Sequence, residues 1–242
     1  MTRVFTLGNP NVAMVELTAC RLGDLCDELV FVGGCATDLL VTVARAQQSR
    51  ATDDVDVVTS ATTIRGYHVV ESQLEVRGFR RDTSPDAPIC RWISEGIVLD
   101  LMPSGPGVLG FHNRWYPLAI QTAVGVSLPS GRLVRLIRAP EFIATKPEAF
   151  EGRGNADFLA SHDLEDIVTV IDGRESLLDE VSAGQRDLRD YLAQKFLALI
   201  ATNDFLDALA GHLRGDAASQ ARLPQLERRV RLLATSSKST GR

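Results

Sequence analysis

Lysine is scarce in this chain: only Lys146, Lys195 and Lys238 stand among its 26 basic residues. Cysteine and histidine number four each, with no CxxC pair and no HExxH pair, which argues against a zinc site and a redox dithiol. Any metal should therefore be a hard cation held by oxygen. No apolar run approaches the roughly 20 residues that span a bilayer, and no basic flank precedes an apolar run at the N-terminus. We expect a cytoplasmic protein with reduced thiols and no membrane partner.

The bulk composition is that of a folded globular protein. Hydrophobic residues make up 45% of the 242 residues and charged residues 24%, which excludes disorder over most of the chain. The net charge of −5 argues against a wholesale electrostatic grip on nucleic acid, although it leaves room for a local basic patch. Charge alone therefore does not identify the partner.

The hydrophobic pattern predicts an α+β fold with a helical C-terminal region. Helical periodicity covers 12–28, 35–47 and 62–77, and short apolar strands are predicted at LVFV, DVDVV, ICRWI, IVLDLM and RLVRLIR. Beyond Ala139 the pattern is almost wholly helical, over 155–172, 176–200, 203–214 and 222–234. We expect a catalytic domain over 1–138, a helical domain over 139–232 and a disordered tail over 233–242.

The segment DDVDVV carries two acids within an apolar strand. Residues two apart on a strand point to the same face, so Asp54 and Asp56 should project together while Val55 and Val57 face the core. Each carboxylate raises the pKa of the other, and a divalent cation removes that cost. Mg²⁺, with Mn²⁺ as the alternative, suits such a pair completed by substrate phosphates. A surface strand capped by acids is the competing interpretation.

A third acid, Asp100, lies in the strand IVLDLM on the face opposite Leu99 and Leu101. If this strand pairs beside the strand of Asp54, three carboxylates can hold two metal ions, with Asp100 as metal ligand and candidate general base. An acid that merely solubilises an edge strand is the alternative. Upstream, Gly33 and Gly34 end the strand LVFV at a turn where the backbone can approach phosphates closely.

The segment FVGG followed by RATDDVDVV resembles the signature of the DNA polymerase β-like nucleotidyltransferase superfamily, a glycine pair followed by Asp-x-Asp. Asp100 matches its usual third acid. The resemblance implies a nucleotidyltransferase-type mixed sheet flanked by helices. It also implies a Mg²⁺-dependent enzyme that transfers a nucleoside monophosphate from an NTP to an acceptor hydroxyl.

Downstream, TKPEAFEGRG and SHDLEDIVTVIDGR are similar to segments of the abortive-infection (AbiEii) type nucleotidyltransferase toxins, in which a helical lysine precedes an Asp-x-x-Asp helix. Lys146, Asp163 and Asp166 take those places. Lys146 is expected to neutralise the β- and γ-phosphates, Asp163 to orient the lysine or the nucleotide, and Asp166 to join the nucleotide site. The resemblance implies that the helical domain completes the active site, that the acceptor is a tRNA 3′ end, and that an antitoxin protein is a partner.

Several alternatives stay open. Lys146 could instead be an ordinary solvated helix residue. Asp163 and Asp166 could instead serve as a helix N-cap and as surface charge. Arg50 and Arg153 are further candidates for phosphate contacts. The acceptor has the alternatives of a small antibiotic-like molecule or a protein side chain, and an inactive nucleotide-binding regulatory module is the rival of a different class.

Two further motifs are weaker. GPGVLG matches GxGxxG, but FHNRWYP follows it instead of a helix, so we expect a loop. The C-terminal arginines Arg222, Arg228, Arg229 and Arg231 would form either a basic strip for RNA phosphates or a solvated helix face.

Overall fold

The computed structural model describes residues 5–43, 48–152 and 157–238, which form two compact units. The sheet unit comprises Met1–Leu39 and Arg50–Arg138, and the helical unit comprises Leu40–Ser49 and Ala139–Arg242. In these described parts, every helix is too short or too polar to pass through a lipid bilayer.

One mixed sheet forms the centre of the sheet unit. In the part of the chain that the structure describes, its seven strands are β1 (Leu29–Val32), β2 (Val55–Thr59), β3 (Arg80–Arg81), β4 (Arg91–Ser94), β5 (Ile97–Pro103), β6 (Val124–Ser127) and β7 (Leu133–Leu136). They lie in the order β3-β4-β5-β2-β1-β7-β6. The pairs β2–β5 and β1–β7 are parallel, and the other neighbours are antiparallel. The predicted α+β class with a mixed sheet is confirmed.

The central strands are buried, as their apolar runs predict. All four residues of β1 are buried, and Val55, Val57 and Val58 of β2 are fully inaccessible to solvent. In β5, Leu99 and Leu101 are likewise 0% exposed. Strands covered on both faces favour continuous β-branched and aliphatic residues, so the acids within β2 and β5 are exceptions that need a reason.

Among the described residues, four α-helices belong to or begin in the sheet unit: α1 (Pro10–Leu22), α2 (Thr37–Leu40), α3 (Ile64–Val76) and α4 (Tyr116–Thr122). Asn9 caps α1 by accepting the N–H of Val12 at 3.1 Å, and Thr63 caps α3. The helix predicted over 12–28 ends at Leu22, because the chain tightens there into a 3-10 helix over Gly23–Asp27.

The helix predicted over 35–47 was too long. A 3-10 turn leads into α2, which ends at Leu40, and residues 44–47 lie outside the described residues. The backbone N–H groups of Thr42 and Val43 donate to the carbonyl of Gly173 at 2.8 and 2.9 Å, which replaces the helical hydrogen bonds. Because β-branched residues have lowered helix propensity, this tertiary pairing overrides the helical pattern.

The segment FHNRWYP is also not wholly a loop, because α4 begins at Tyr116 inside it. Pro117 lies in the first turn of α4, where a proline needs no N–H partner and its fixed φ suits the helix. The short strands β3 and β6 were not predicted either. Both are edge strands that pair along one side only, and so carry little apolar signal.

The helix predicted over 155–172 begins only at His162, where Ser161 is its N-cap. The helical unit as a whole contains several helices, as the pattern beyond Ala139 predicts. They are α5 (Ala139–Gly152), α6 (His162–Gly173), α7 (Leu177–Ser182), α8 (Arg186–Ile200), α9 (Asn203–Gly211), α10 (Ala217–Gln220) and α11 (Leu223–Leu233), followed by a 3-10 turn at Ser236–Lys238. The single helix predicted over 176–200 is two helices, α7 and α8, because the chain breaks around Gly184. Residues 239–242 of the predicted tail lie outside the described residues.

Candidate active site

Strand pairing brings the acids of the sheet unit to one region. In the parallel pair β2–β5, Asp56 stands opposite Asp100, and Asp54 directly precedes β2. The Asp100 side chain is 7% exposed and that of Asp54 33% exposed. The two strands therefore pair as the three-acid prediction required, and two of its acids are register partners.

An arginine that the sequence prediction missed joins two of these acids. Arg91 lies on β4 opposite Asp100, and its guanidinium donates from Nε to Oδ1 of Asp100 at 2.9 Å and from Nη2 to Oδ2 at 2.8 Å. The same Nη2 also donates to Oδ2 of Asp54 at 2.7 Å. This fork-like contact is the strong, charge-assisted form of hydrogen bond.

The nearby positive charges do not fully compensate the Asp54 carboxylate. Burial raises the pKa of the Asp54 carboxyl above its usual range, and the nearby charge of Asp100 raises it further. Arg91, and then Arg50, oppose this rise without cancelling it. The predicted phosphate contact Arg50 thus acts electrostatically on the Asp54 carboxylate. A half-buried carboxylate beside a second carboxylate would be stabilised by an additional cation.

The donor chemistry suits a hard cation. Across residues 5–43, 48–152 and 157–238, no three His, Cys, Asp or Glu side chains are grouped so as to hold a metal ion as they stand. Asp54, Asp56 and Asp100 supply only carboxylate oxygens, the ligands that Mg²⁺ and Mn²⁺ prefer. Arg91 is the positive group that contacts Asp54 and Asp100 in this arrangement, and so acts as a stand-in for such a cation.

The first glycine of the pair, Gly33, packs directly against Asp56. Gly33 follows β1 with φ of 67°, in the region that favours glycine, and Gly34 begins the 3-10 turn. A Cβ at Gly33 would lie 1.8 Å from Oδ2 of Asp56 and 2.7 Å from its Cβ. The missing side chain of Gly33 therefore makes room for the Asp56 carboxylate.

Replacing Gly33 with alanine is expected to lower the free energy of unfolding by about 3 kcal/mol. Its φ of 67° and ψ of −165° lie in a region that is essentially restricted to glycine and costs other residues about 1–3 kcal/mol, and the overlap with Asp56 adds to this cost. Gly96→Ala is the matched control, because Gly96 has φ of 69° with nothing within 4 Å of its added Cβ. Urea denaturation measures both. If both variants lose the same free energy of unfolding, glycine is needed at position 33 only for its backbone conformation and not to make room for Asp56.

A buried polar network, also missed from the sequence, fixes the backbone ahead of Asp54. The Asn11 side chain is fully buried and donates to Oδ2 of Asp38 at 3.0 Å and to the carbonyl of Arg50 at 2.8 Å. Its Oδ1 accepts the N–H of Thr52 at 2.9 Å, and the Thr52 hydroxyl donates to the carbonyl of Asp54 at 3.1 Å. The network ties α1 and α2 to the chain that enters β2.

In the helical unit, Lys146 is buried among acids. Lys146 Nζ lies 2.6 Å from Oδ2 of Asp166 and 3.4 Å from Oδ1 of Asp163, and 5.2 Å from the ring centroid of Phe142. The side chains are 9%, 1% and 5% exposed for Lys146, Asp166 and Asp163. The solvated alternatives are therefore wrong, and Ser161 is the N-cap of α6. Arg153 lies outside the described residues.

The C-terminal arginines do not form a uniform basic strip. Arg229 is buried and donates to the carbonyls of Asp172 and Arg174, and burial lowers its pKa. Arg222 donates from Nε to both carboxylate oxygens of Asp172, at 3.0 and 3.2 Å. Two of the four arginines thus hold the helical unit together, which leaves Arg228 and Arg231 on the exposed side.

The remaining signals are structural. GPGVLG opens no helix directly, so the dinucleotide motif is excluded there as predicted. Trp92 and Trp115 are buried packing residues. No disulfide joins the four cysteines in the part of the chain that the structure describes. Burial raises the pKa of Cys90, the cysteine next to Arg91, to about 12, which argues against a reactive thiolate near the acids.

No protein-family model and no curated protein matches this chain. Among solved structures, it is similar to an antigenic nucleotidyltransferase-like protein from Paracoccidioides brasiliensis, with 19% identity over 83% of this chain and 92% of that one and a TM-score of 0.48. It is also similar to JHP933 from Helicobacter pylori, with 11% identity over 94% and 93% of the two chains and a TM-score of 0.47. At such low identity, function has to be inferred from the residues of the site.

Proposed function

We propose that this chain is a Mg²⁺-dependent nucleotidyltransferase that transfers a nucleoside monophosphate from an NTP to an acceptor hydroxyl, with Mn²⁺ as an alternative cation. The observation that supports this best is the pairing of Asp56 with Asp100 on neighbouring strands beside the Gly33 turn, with Asp54 directly before β2. Two of these acids share Arg91, and the pKa of Asp54 stays raised. Acids kept together at this cost favour a site for a divalent cation.

In this proposal, each candidate site residue of the sheet unit has a separate role in nucleotidyl transfer. Asp54, Asp56 and Asp100 would hold the cation, which when bound supplies charge to neutralise the triphosphate and the leaving pyrophosphate. Gly33 and Gly34 would let the backbone approach the phosphates, and Arg50 would add a charged contact. The acceptor oxygen attacks the α-phosphorus in line as the bond to pyrophosphate breaks, and Asp100 is the candidate base for its proton.

The acceptor we propose is a tRNA 3′ end, in a chain that acts as the toxin of a toxin–antitoxin pair with an antitoxin protein as partner. The support is the resemblance of TKPEAFEGRG and SHDLEDIVTVIDGR to the AbiEii-type toxins. The burial of Lys146 with Asp163 and Asp166 accords with it, because a costly buried ion cluster is a common feature of functional sites. On the basis of that resemblance, we propose that Lys146, Asp163 and Asp166 are required for nucleotidyl transfer.

The test incubates the purified chain with Mg²⁺, total tRNA and each α-labelled NTP in turn, beside the variants Asp56→Asn and Asp53→Asn. We expect RNA to be labelled from one NTP by the wild type and by Asp53→Asn, and to remain unlabelled with Asp56→Asn. Asp53 is exposed and adjacent, so it controls for the loss of one charge. Periodate oxidation of the tRNA, which destroys its terminal 2′,3′-diol, should abolish labelling.

Other outcomes separate the parts of the proposal. Label on small molecules or protein, but not on RNA, would overturn the acceptor and keep the chemistry. Nucleotide binding without labelled RNA, small molecule or protein would overturn the proposed transferase activity and favour the inactive regulatory module.

A further inference from the structure

Arg91 contacts the acids from a strand that holds it firmly. The N–H of Arg91 donates to the carbonyl of Pro88 at 2.9 Å, and its own carbonyl accepts the N–H of Asp82 at 3.0 Å. In the antiparallel pair β4–β5 it stands opposite Asp100. Its backbone is therefore fixed by hydrogen bonds on both sides. The side chain, 25% exposed, extends from this fixed backbone position to the acids.

The guanidinium uses the oxygens that a cation needs. It occupies both oxygens of Asp100 and one oxygen of Asp54 at 2.7–2.9 Å. An oxygen that accepts a short charge-assisted hydrogen bond has less electron density to give a divalent cation, and two cations this close repel each other. Simultaneous binding of the Arg91 guanidinium and a divalent cation to the same oxygens of Asp54 and Asp100 is therefore unfavourable.

We infer that Arg91 is an internal counter-cation that competes with the divalent cation for Asp54 and Asp100. This inference rests on the proposed function, because it concerns the same three acids. Arg91 partly compensates the charges of Asp54 and Asp100 in the cation-free protein, and cation binding requires its guanidinium to release Asp54 and at least one oxygen of Asp100. Arg91 is thus a positioning residue that sets the cation affinity of the site.

The inference is tested by titrating Mn²⁺ into the full chain and measuring free Mn²⁺ by electron paramagnetic resonance. Arg91→Met removes the competing charge and keeps an unbranched side chain. It is expected to lower the Kd for Mn²⁺ by about tenfold, which corresponds to about 1.4 kcal/mol. Arg80→Met is the matched control: Arg80 is exposed on β3 and loses the same charge without contacting these acids, so its Kd should stay within about twofold of wild type.

A purely structural role for Arg91 gives the opposite pattern. If the arginine only holds the acids in place, Arg91→Met loosens the site, and its Kd for Mn²⁺ rises or stays unchanged, which overturns the inference. Should Arg91→Met fail to fold without a cation, Arg91→Lys replaces it. One ammonium cannot reproduce the fork to both acids, so a Kd below that of wild type is again expected, and an equal or higher Kd counts against competition.

Failure of the inference and failure of the proposed function are distinguishable. Suppose that the wild type binds Mn²⁺, that Asp56→Asn abolishes binding, and that neither Arg91→Met nor Arg91→Lys has a higher affinity for Mn²⁺. This result overturns the competition by Arg91 and leaves the cation site in place. Absence of Mn²⁺ binding in wild type and all variants, or binding insensitive to Asp56→Asn, overturns the cation site and the inference with it.

Discussion

Asp56→Asn is expected to reduce nucleotidyl transfer by about a thousandfold or more, because loss of a metal ligand removes several kcal/mol of transition-state charge stabilisation. The fold should survive. The Asp56 carboxylate is only partly buried, asparagine has nearly the same shape, and the loss of one charge relieves repulsion among the three acids. Labelled product measures the transfer, and urea denaturation measures the free energy of unfolding.

The control for this prediction is Asp53→Asn. Asp53 lies on the same segment, is exposed and loses the same charge, so we expect transfer and stability close to wild type. Transfer by Asp56→Asn at the wild-type rate would remove Asp56 from the metal site. A loss of transfer accompanied by unfolding would instead assign Asp56 to stability.

Some of this site was accessible from sequence. The strands DVDVV and IVLDLM carry acids within apolar runs, and β2 and β5 do contain Asp56 and Asp100. The partner Arg91 could also have been found. A two-residue turn at Glu95-Gly96 places Ser94 opposite Ile97, and counting outward from it pairs Arg91 with Asp100.

Other parts depend on contacts between distant segments. Whether β2 lies beside β5, and in which register, is a long-range choice that no local pattern specifies. The Asn11 network joins residues 27 to 41 positions apart, and an asparagine near a helix start looks like an ordinary cap. The early end of α2 depends on Gly173, far along the chain, which accepts the hydrogen bonds of Thr42 and Val43.

The buried lysine shows a further limit of pattern reading. A single Lys in a helix is usually solvated, and Lys146 carries no local sign of burial. Its surroundings come from α6, where Asp163 and Asp166 are three residues apart and so share one helix face. The burial of all three side chains therefore depends on the packing of α5 against α6, which no local pattern specifies.

Asp166→Asn is expected to lower the free energy of unfolding by about 3 kcal/mol, because removing one partner of a buried ion pair leaves a poorly compensated charge. Lys146 Nζ would then retain the charge of Asp163, whose oxygen lies at 3.4 Å, while the partner at 2.6 Å becomes a neutral amide. Chemical denaturation measures the change. Asp190→Asn is the control in the same unit: its pair with Arg186 is exposed, so its removal should alter stability little.

The triple variant Lys146→Met, Asp163→Asn and Asp166→Leu separates stability from activity. It leaves no buried carboxylate without the lysine, because it removes all three charges of the cluster. Replacing a buried ion cluster by uncharged residues of similar volume is often neutral, so most of the stability lost in Asp166→Asn should return. Nucleotidyl transfer should be absent if Lys146 contacts the triphosphate. Recovery of both stability and transfer would show that the three residues serve only the packing of α5 on α6, whereas stability that stays low would show that these side chains have further partners in the fold.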